Sequence, residues 1–177
     1  MADCRNDLFQ MAFDYHFDYY FVIDVDVGAS ISFEIDDFRV NFIYPSDSWI
    51  AFTATQRSEY YDIWALRIAP ILPFDCWAKM TELASFYLDK NPLIKRFVKV
   101  HQKSIPKTFP LIPVQSAFGG AALYSKRFLV RNCSYNGYEY RGFLRNSQVC
   151  EHVSFHQCLI KYSNGHYIYI NPKFQIA

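Results

Sequence analysis

The sequence predicts an α/β domain in which a mixed sheet is flanked by helices. Short apolar runs of strand length alternate along the chain with stretches of helical periodicity. The run Tyr19–Ile23 is apolar on both faces, which is typical of a strand, usually parallel, that is buried beneath helices. With 177 residues, 51% of them apolar, the chain is long enough for one hydrophobic core, so we expect a single domain over residues 1–177.

The first part of the chain predicts one helix, two strands and a segment of either kind. Apolar residues recur on one helical face over residues 3–17, and the buried strand over residues 19–25 follows directly. Residues 31–44 alternate apolar and acidic side chains, which fits a strand or a short irregular helix. A turn at residues 45–48 precedes a second apolar strand at residues 49–54.

The middle of the chain predicts one capped helix between irregular segments. Prolines make residues 56–75 rich in loops. Asp75 is placed to cap a helix over residues 76–90, and the Asn-Pro pair that follows is expected to end this helix. Residues 101–113 carry prolines and lysines, so they are expected to form a connector.

The last part of the chain predicts two strands, a hairpin region and a helix. A short strand at residues 121–124 follows a Gly-Gly turn, and residues 132–146 form a surface loop or hairpin. A helix over residues 148–161 takes Ser147 as its N-cap. The final strand, at residues 167–170, is closed by an Asn-Pro pair.

Composition and charge limit the function classes. The formal net charge is +1 and the basic residues are scattered, so no nucleic-acid partner is expected. The chain has no apolar run of about 18 residues, so no membrane span is predicted. The polar, acidic N-terminus does not fit a signal peptide, and these observations together favour a cytoplasmic location.

The cysteines are expected to be reduced. There are five of them, an odd number, and none forms a Cys-x-x-Cys pair. Buried, reduced thiols and a reducing compartment are therefore predicted, without a zinc cage.

Two carboxylates follow the first apolar strand. Asp24 and Asp26 are one residue apart, so they leave the end of the strand on the same side. The carboxyl end of a strand in an α/β sheet is where ligands bind. Paired carboxylates there fit Mg²⁺ or Mn²⁺ carrying a diphosphate, because these ions prefer oxygen ligands. The alternative is a pair of solvated aspartates at a corner of the chain.

Four segments, in order, carry a resemblance to a known family. They are FVIDVDVG at 21–28, YDIWALR at 61–67, AFGGAALY at 117–124 and CEHVSFH at 150–156. Over residues 5–174 the chain resembles the GT-A glycosyltransferases, in particular the small enzymes of large algal viruses that add sugars to the capsid protein, and their cellular relatives. The resemblance implies a GT-A-like mixed sheet that is incomplete at its N-terminus, because the family's first βαβ units would precede residue 1.

The resemblance also implies roles on the donor side of a site. Asp26 would coordinate Mn²⁺ or Mg²⁺ at the donor diphosphate, and Asp24 would contact the ribose or a metal-bound water. The backbone of Phe118-Gly119-Gly120 would approach the donor sugar, for which glycine is suited because it has no side chain. An ordinary hairpin turn is the alternative for these three residues.

Glu151 and Asp62 are the two candidates for a general base. Glu151 lies in the first turn of a predicted helix, where the resemblance implies a base acting on the acceptor hydroxyl, and where a glutamate also complements the helix dipole. Asp62 is the rival base, or else a ligand for donor or acceptor hydroxyls. On the resemblance we favour inversion, because Glu151 is placed like a base.

Three further residues are candidates for substrate binding. Trp64 either stacks on a sugar or belongs to the core. Arg67 either offsets phosphate charge or pairs with a carboxylate. His152 is a substrate-binding candidate and is also spaced, with His156 one helical turn away, to hold a metal. His156 lies on the apolar stripe of its helix and is expected in the core.

The expected function is metal-dependent transfer of a sugar, from a UDP-sugar or related donor, to a hydroxyl of a glycan or glycoprotein. One alternative is a carbohydrate-binding module without donor binding. Another is a metal-dependent phosphohydrolase or nucleotidyltransferase, which would need more carboxylates near Asp24. The residues nearest in sequence that could supply them are Asp36, Asp37 and Asp47.

Overall fold

A computed structural model describes residues 1–24, 34–84, 86, 90–141 and 144–176. Short 3₁₀ turns cover Val40–Ile43, Lys99–His101 and Lys126–Phe128. The helices and strands of these residues are α1 (Ala2–Ala12), β1 (Tyr19–Ile23), α2 (Ile35–Arg39), β2 (Ala51–Thr55), α3 (Cys76–Ala84), α4 (Asn91–Phe97), β3 (Ile112–Val114), β4 (Ala121–Ser125), β5 (Tyr138–Arg141), β6 (Leu144–Gln148), α5 (Glu151–Tyr162) and β7 (Ile168–Gln175).

Five of the strands form one mixed sheet flanked by helices. Their order is β1-β4-β2-β7-β3. The central strands β2 and β7 are parallel, and every other neighbouring pair is antiparallel. Strands β5 and β6 form a separate antiparallel hairpin. The predicted mixed α/β architecture is therefore confirmed. For residues 132–146, where a surface loop or hairpin was predicted, the structure has a hairpin whose strands cover 138–141 and 144–148.

Strand β1 lies at the edge of the sheet and not in its middle. It pairs antiparallel with β4, and its side chains Phe21 and Ile23 are each 36% exposed. Its two faces are apolar because different elements cover them: Tyr20 packs on Phe9 of α1, while Phe21 packs on Phe38 of α2. The prediction of a fully buried, usually parallel strand at this position was wrong.

The core is built on the central strands and on helices α1 and α5. Every residue of β2 and β4 is buried. Phe9 of α1 is fully buried and its ring lies 5.0 Å from that of Phe155 in α5. Burial of an aromatic side chain of this size contributes on the order of 2–3 kcal/mol, so Phe9 anchors α1 on the core.

The predicted start of the helix after Asp75 is confirmed, and its predicted end was wrong. Asp75 caps α3, since its Oδ1 accepts the N–H groups of Trp77 at 3.0 Å and Ala78 at 2.9 Å. The Asn-Pro pair was expected to end a helix, but Asn91 and Pro92 begin α4. Proline suits the first turn of a helix, where its missing N–H is not needed.

The last helix and the last strand differ from their predicted bounds. Ser147 lies in β6, and α5 begins at Glu151 with Cys150 in the N-cap position. Strand β7 continues past Asn171-Pro172 to Gln175. The pairing between β2 and β7 is irregular at this point, which accommodates a proline that cannot donate to a neighbouring strand.

Two cysteines form a disulfide, contrary to the prediction that all five are reduced. Cys133 is bonded to Cys158 of α5, 25 residues away in sequence, while the other three are free thiols. The spacing of these two cysteines in the sequence does not predict that they pair. They meet because the loop before β5 packs against α5. The cysteines therefore give no support to a reducing compartment.

No helix within the described parts of the chain combines the length and apolarity that a membrane span requires.

The turn before β4 needs glycine at two positions. Gly119 has φ of 62° and Gly120 has φ of 88°, a region that side chains other than glycine rarely adopt. A Cβ at Gly119 would lie 2.1 Å from the carbonyl oxygen of Ala54 in β2. The turn is therefore pressed directly against the backbone of the central strand.

We expect Gly119→Ala to lower the free energy of unfolding by about 3 kcal/mol or more, measured by urea titration, because it adds a backbone clash to an unfavourable φ. Gly165→Ala is the matched control: its φ is also positive, at 94°, but no atom lies within 4 Å of the added Cβ. That variant should lose only about 1 kcal/mol. Equal losses in the two variants would contradict the close contact with Ala54.

Candidate functional site

An arginine of the N-terminal helix joins two acidic residues from distant parts of the chain. Arg5 Nη2 lies 2.5 Å from Asp24 Oδ1, just after β1, and Arg5 Nε lies 3.2 Å from Glu151 Oε1, at the start of α5. The side chains of Arg5 and Glu151 are each only 11% exposed. Burial opposes the charge on Arg5, but its hydrogen bond to Asp24 and the charges of Asp24 and Glu151 outweigh that effect and raise its pKa.

Helix α1 is held in place by contacts on both sides of this ion-pair network. Asn6 makes two hydrogen bonds with the backbone of Tyr135: its Nδ2 donates to the carbonyl oxygen at 2.9 Å and its Oδ1 accepts the N–H at 2.7 Å. The guanidinium of Arg5 also lies over the ring of Phe118, 5.2 Å from its centroid. Together with the buried ring of Phe9, these contacts fix the position of the Arg5 side chain.

The glycine turn connects the same cluster to Asp62. The N–H of Asp24 donates to the Gly120 carbonyl at 2.9 Å, and the N–H of Gly119 donates to Asp62 Oδ2 at 3.0 Å. Gln56 Nε2 donates to the Gly119 carbonyl at 2.6 Å. The turn therefore has its backbone groups bound by the backbone of the residue after β1 and by two side chains of the segment after β2.

Asp62 is a buried carboxyl whose pKa is strongly shifted. Burial raises the pKa of Asp62 to about 7, and the charges of Asp24 and Glu151 add to the rise. The N–H groups of Gly119 and of Ala65, which donates to Oδ1 at 3.3 Å, act in the opposite direction. A carboxyl that titrates near neutral pH can exchange a proton, but both oxygens of Asp62 are already used to hold the local backbone.

The two histidines of α5 are neutral and buried. His152 stacks on Phe118 with ring centroids 3.8 Å apart, its nitrogens have no hydrogen-bond partner within the described residues, and burial lowers its pKa well below the usual value. His156 contacts Ser116 Oγ at 3.0 Å and the Tyr124 hydroxyl at 2.7 Å, and burial lowers its pKa to about 3. The expectation of a core histidine at 156 is confirmed. Because both of its nitrogens are used, the two histidines do not form a metal site.

Arg67 and Trp64 lie in the pocket region beside this cluster. Arg67 is buried and pairs with Asp75, whose Oδ2 lies 3.1 Å from its Nη2. This is the second of its two predicted roles, since its charge is already balanced by a carboxylate. Trp64 is 37% exposed and, with Glu151, lines a pocket of about 260 Å³, so it is not a core residue.

The described residues do not make up a divalent-metal site. Asp26 lies outside the described residues, and Asp24 is already paired with Arg5. Among the residues that the structure describes, no group of three or more His, Cys, Asp and Glu side chains is placed to hold a metal. The Asp24 and Asp26 pair therefore remains a prediction from the sequence pattern.

The additional acidic residues near Asp24 in sequence form ion pairs of their own. Asp36 pairs with Arg39 and Asp37 with Lys107. Asp47 lies 4.0 Å from Arg127. Each of the three therefore has a basic partner in the described structure.

The sequence prediction missed Arg5, the residue that joins the cluster. One signal was available: residues 1–38 contain a single arginine and no lysine, against nine aspartates and glutamates. A lone cation in such a segment is a candidate to neutralise buried carboxylates, but which ones it contacts depends on how α1 docks.

Replacing Arg5 with methionine should destabilise the fold by about 2–4 kcal/mol, because Asp24 and Glu151 would lose their shared counter-charge in a partly buried site. Arg39→Met removes an exposed pair with Asp36 and should cost at most about 0.5 kcal/mol. Urea unfolding measures both values. If Arg5→Met lowers the free energy of unfolding by as little as Arg39→Met does, Arg5 does not organise the cluster.

The raised pKa of Asp62 predicts a specific pH dependence. Its ordinary value is 3.8 and its value in the folded chain is about 7, so the folded chain holds a proton that the unfolded chain releases in this interval. Stability from this group is therefore fully present below about pH 4 and is lost as pH rises through 7. The stability of the parent relative to Asp62→Asn should fall by roughly 4 kcal/mol between pH 4 and pH 8.

Chemical unfolding across this pH range measures the difference, and Asp47→Asn, at an exposed turn, is the control that should track the parent. A parent-minus-variant difference for Asp62→Asn that does not change with pH would contradict the assignment.

Comparisons with known proteins do not identify a relative. No family model matches the chain, and no curated protein and no solved structure matches it. The functional conclusion therefore rests on the residues of the site.

Proposed function

We propose that this chain is a glycosyltransferase domain that moves a sugar from a nucleotide-sugar, in particular a UDP-sugar, to a hydroxyl of a glycan or glycoprotein. The observation that carries the proposal is the convergence of Asp24, Asp62, Glu151 and the Gly119-Gly120 turn around Arg5. These groups come from four separate segments of the chain. They are the same four segments on which the resemblance to the GT-A enzymes rests.

Glu151 is the residue proposed as general base. It lies at the wall of a pocket that Trp64 also lines, and Arg5 holds one of its oxygens. In an inverting transfer, the acceptor oxygen would form a bond to the anomeric carbon while the bond to the diphosphate breaks. The acceptor proton would pass to the carboxylate of Glu151, and the diphosphate would leave with the bonding electrons.

The donor side of the proposal rests on the glycine turn and on the carboxylates after β1. At Gly119 the space of the missing Cβ faces the Ala54 carbonyl, so the support for a donor sugar beside this turn is the resemblance. We also propose that Asp24 and Asp26 bind Mn²⁺ or Mg²⁺. The sequence pattern alone supports this part of the proposal. When bound, such an ion would offset charge on the departing diphosphate.

One structural observation favours the second candidate, a carbohydrate-binding module without donor binding. Arg5 already neutralises both Asp24 and Glu151, so these carboxylates are paired without any ligand. The phosphohydrolase alternative has no such support, because Asp36, Asp37 and Asp47 form ion pairs of their own.

The test is a donor screen with UDP-sugars and GDP-sugars, with neutral glycans as acceptors and with Mn²⁺ or EDTA present. Glycosylated product and free nucleoside diphosphate are measured by mass spectrometry. Glu151→Gln should lower kcat by 10² to 10⁴, because it keeps the shape of the side chain and removes the base. Asp26→Ala should abolish any difference between Mn²⁺ and EDTA.

Glu59→Gln is the matched control, since Glu59 is exposed and lies outside the cluster. It should turn over the donor like the parent. The proposal is wrong if no donor is consumed, or if Glu151→Gln works as fast as Glu59→Gln. Glycan binding without donor turnover would instead support the carbohydrate-binding module.

A further inference from the structure

Two pockets adjoin along helix α5, and the pair of them is called the groove below. The first, called the Glu151 pocket, has a volume of about 260 Å³ and is lined by Glu151 and Trp64. The second, called the Asp75 pocket, has a volume of about 330 Å³ and is lined by Asp75 and Phe74. Both pockets share Asn136, Tyr138 and Val149 as lining residues. The two pockets are therefore neighbours that meet at these residues.

A buried ion pair lines the Asp75 pocket. Arg67 and Asp75 are 6% and 7% exposed, and their side chains meet at 3.1 Å. Arg67 Nη1 also donates to the carbonyl of Trp64 at 2.9 Å, so the same guanidinium is attached to the wall of the Glu151 pocket. The pair therefore gives this pocket a rigid polar wall that a ligand does not have to order.

Exposed aromatic side chains line both pockets. Trp64 is 37% exposed, Phe74 is 41% exposed and Tyr138 is 58% exposed. Gln157 of α5 supplies an uncharged hydrogen-bonding group in the Asp75 pocket. Aromatic surface beside fixed polar groups matches a sugar ring, which has an apolar C–H face and a rim of hydroxyls.

The charges in the groove favour a neutral ligand. Arg67 is balanced by Asp75, and Glu151 by Arg5. Asp3 also lines the Glu151 pocket and adds a negative charge. The side chains that line the two pockets within the described residues therefore offer no uncompensated positive charge to a phosphate or a carboxylate.

We propose that this groove binds two consecutive sugars of a neutral acceptor glycan. The sugar that carries the reacting hydroxyl lies in the Glu151 pocket, and its neighbour lies in the Asp75 pocket. The order of the two sugars rests on the proposed function, in which Glu151 is the base. The existence of the two subsites rests on the groove alone.

Calorimetry on the whole chain, without nucleotide, tests the groove. The probes are cellobiose, maltose, lactose, mannobiose and xylobiose, each compared with its constituent monosaccharides. At least one disaccharide should bind ten-fold or more tightly than its monosaccharides. Phe74→Ala should remove this preference and leave monosaccharide affinity unchanged, whereas Phe109→Ala, at an exposed phenylalanine outside both sets of lining residues, should change neither.

A second pair of variants distinguishes a loss of sugar binding from a general loss of folding. Tyr138→Ala, at the shared wall, should weaken binding of both sugars, and Tyr162→Ala, at a tyrosine of similar exposure, should not. The melting temperature of each variant is measured beside its affinity. The groove proposal is overturned if no disaccharide is preferred, or if Phe74→Ala and Phe109→Ala behave alike.

Failure of this inference and failure of the proposed function give different results. If the donor is turned over with equal kcat/KM for a monosaccharide acceptor and its disaccharide, the two-sugar groove is overturned and the transferase proposal is supported. A disaccharide preference that Phe74→Ala removes, in a chain that consumes no nucleotide-sugar, would support the groove and overturn the transferase.

Discussion

The pairing of Arg5 with two carboxylates is the interaction on which the candidate site depends. Asp24 and Glu151 lie far apart in sequence, and like charges brought together in a partly buried place repel each other. One guanidinium with donors on several nitrogens offsets both. Because Phe9 anchors the same helix in the core, the hydrophobic packing of α1 and the electrostatics of the site are one structural unit.

Much of the fold follows from local patterns in the sequence. The apolar runs of β2 and β4, the cap at Asp75 and the hairpin of β5 and β6 all depend on residues that are close together in the chain. The edge position of β1 cannot be read from local patterns, because the helices α1 and α2 that cover its faces are brought there by folding. The disulfide between Cys133 and Cys158 is a contact of the same non-local kind.

The candidate site was predictable to a similar extent. The resemblance selected the segments of Asp24, Asp62, Gly119 and Glu151, and the structure brings the described members of that set together. It gave no indication of Arg5, because a helix outside the four segments supplies this residue. Nor could the sequence choose between the two roles of Arg67, because the choice depends on where Asp75 lies in space.

The loop that carries Asn136 is fastened to α5 at two points. Ser154 Oγ accepts the N–H of Asn136 at 2.8 Å, and the disulfide from Cys133 to Cys158 adds a covalent link one turn further along the helix. Asn136 is itself one of these two attachment points, and it lines both pockets. A wall joined covalently to its supporting helix gives up little conformational freedom when a ligand arrives. If the groove binds a glycan as proposed, reduction of this disulfide should therefore raise the dissociation rate of the glycan.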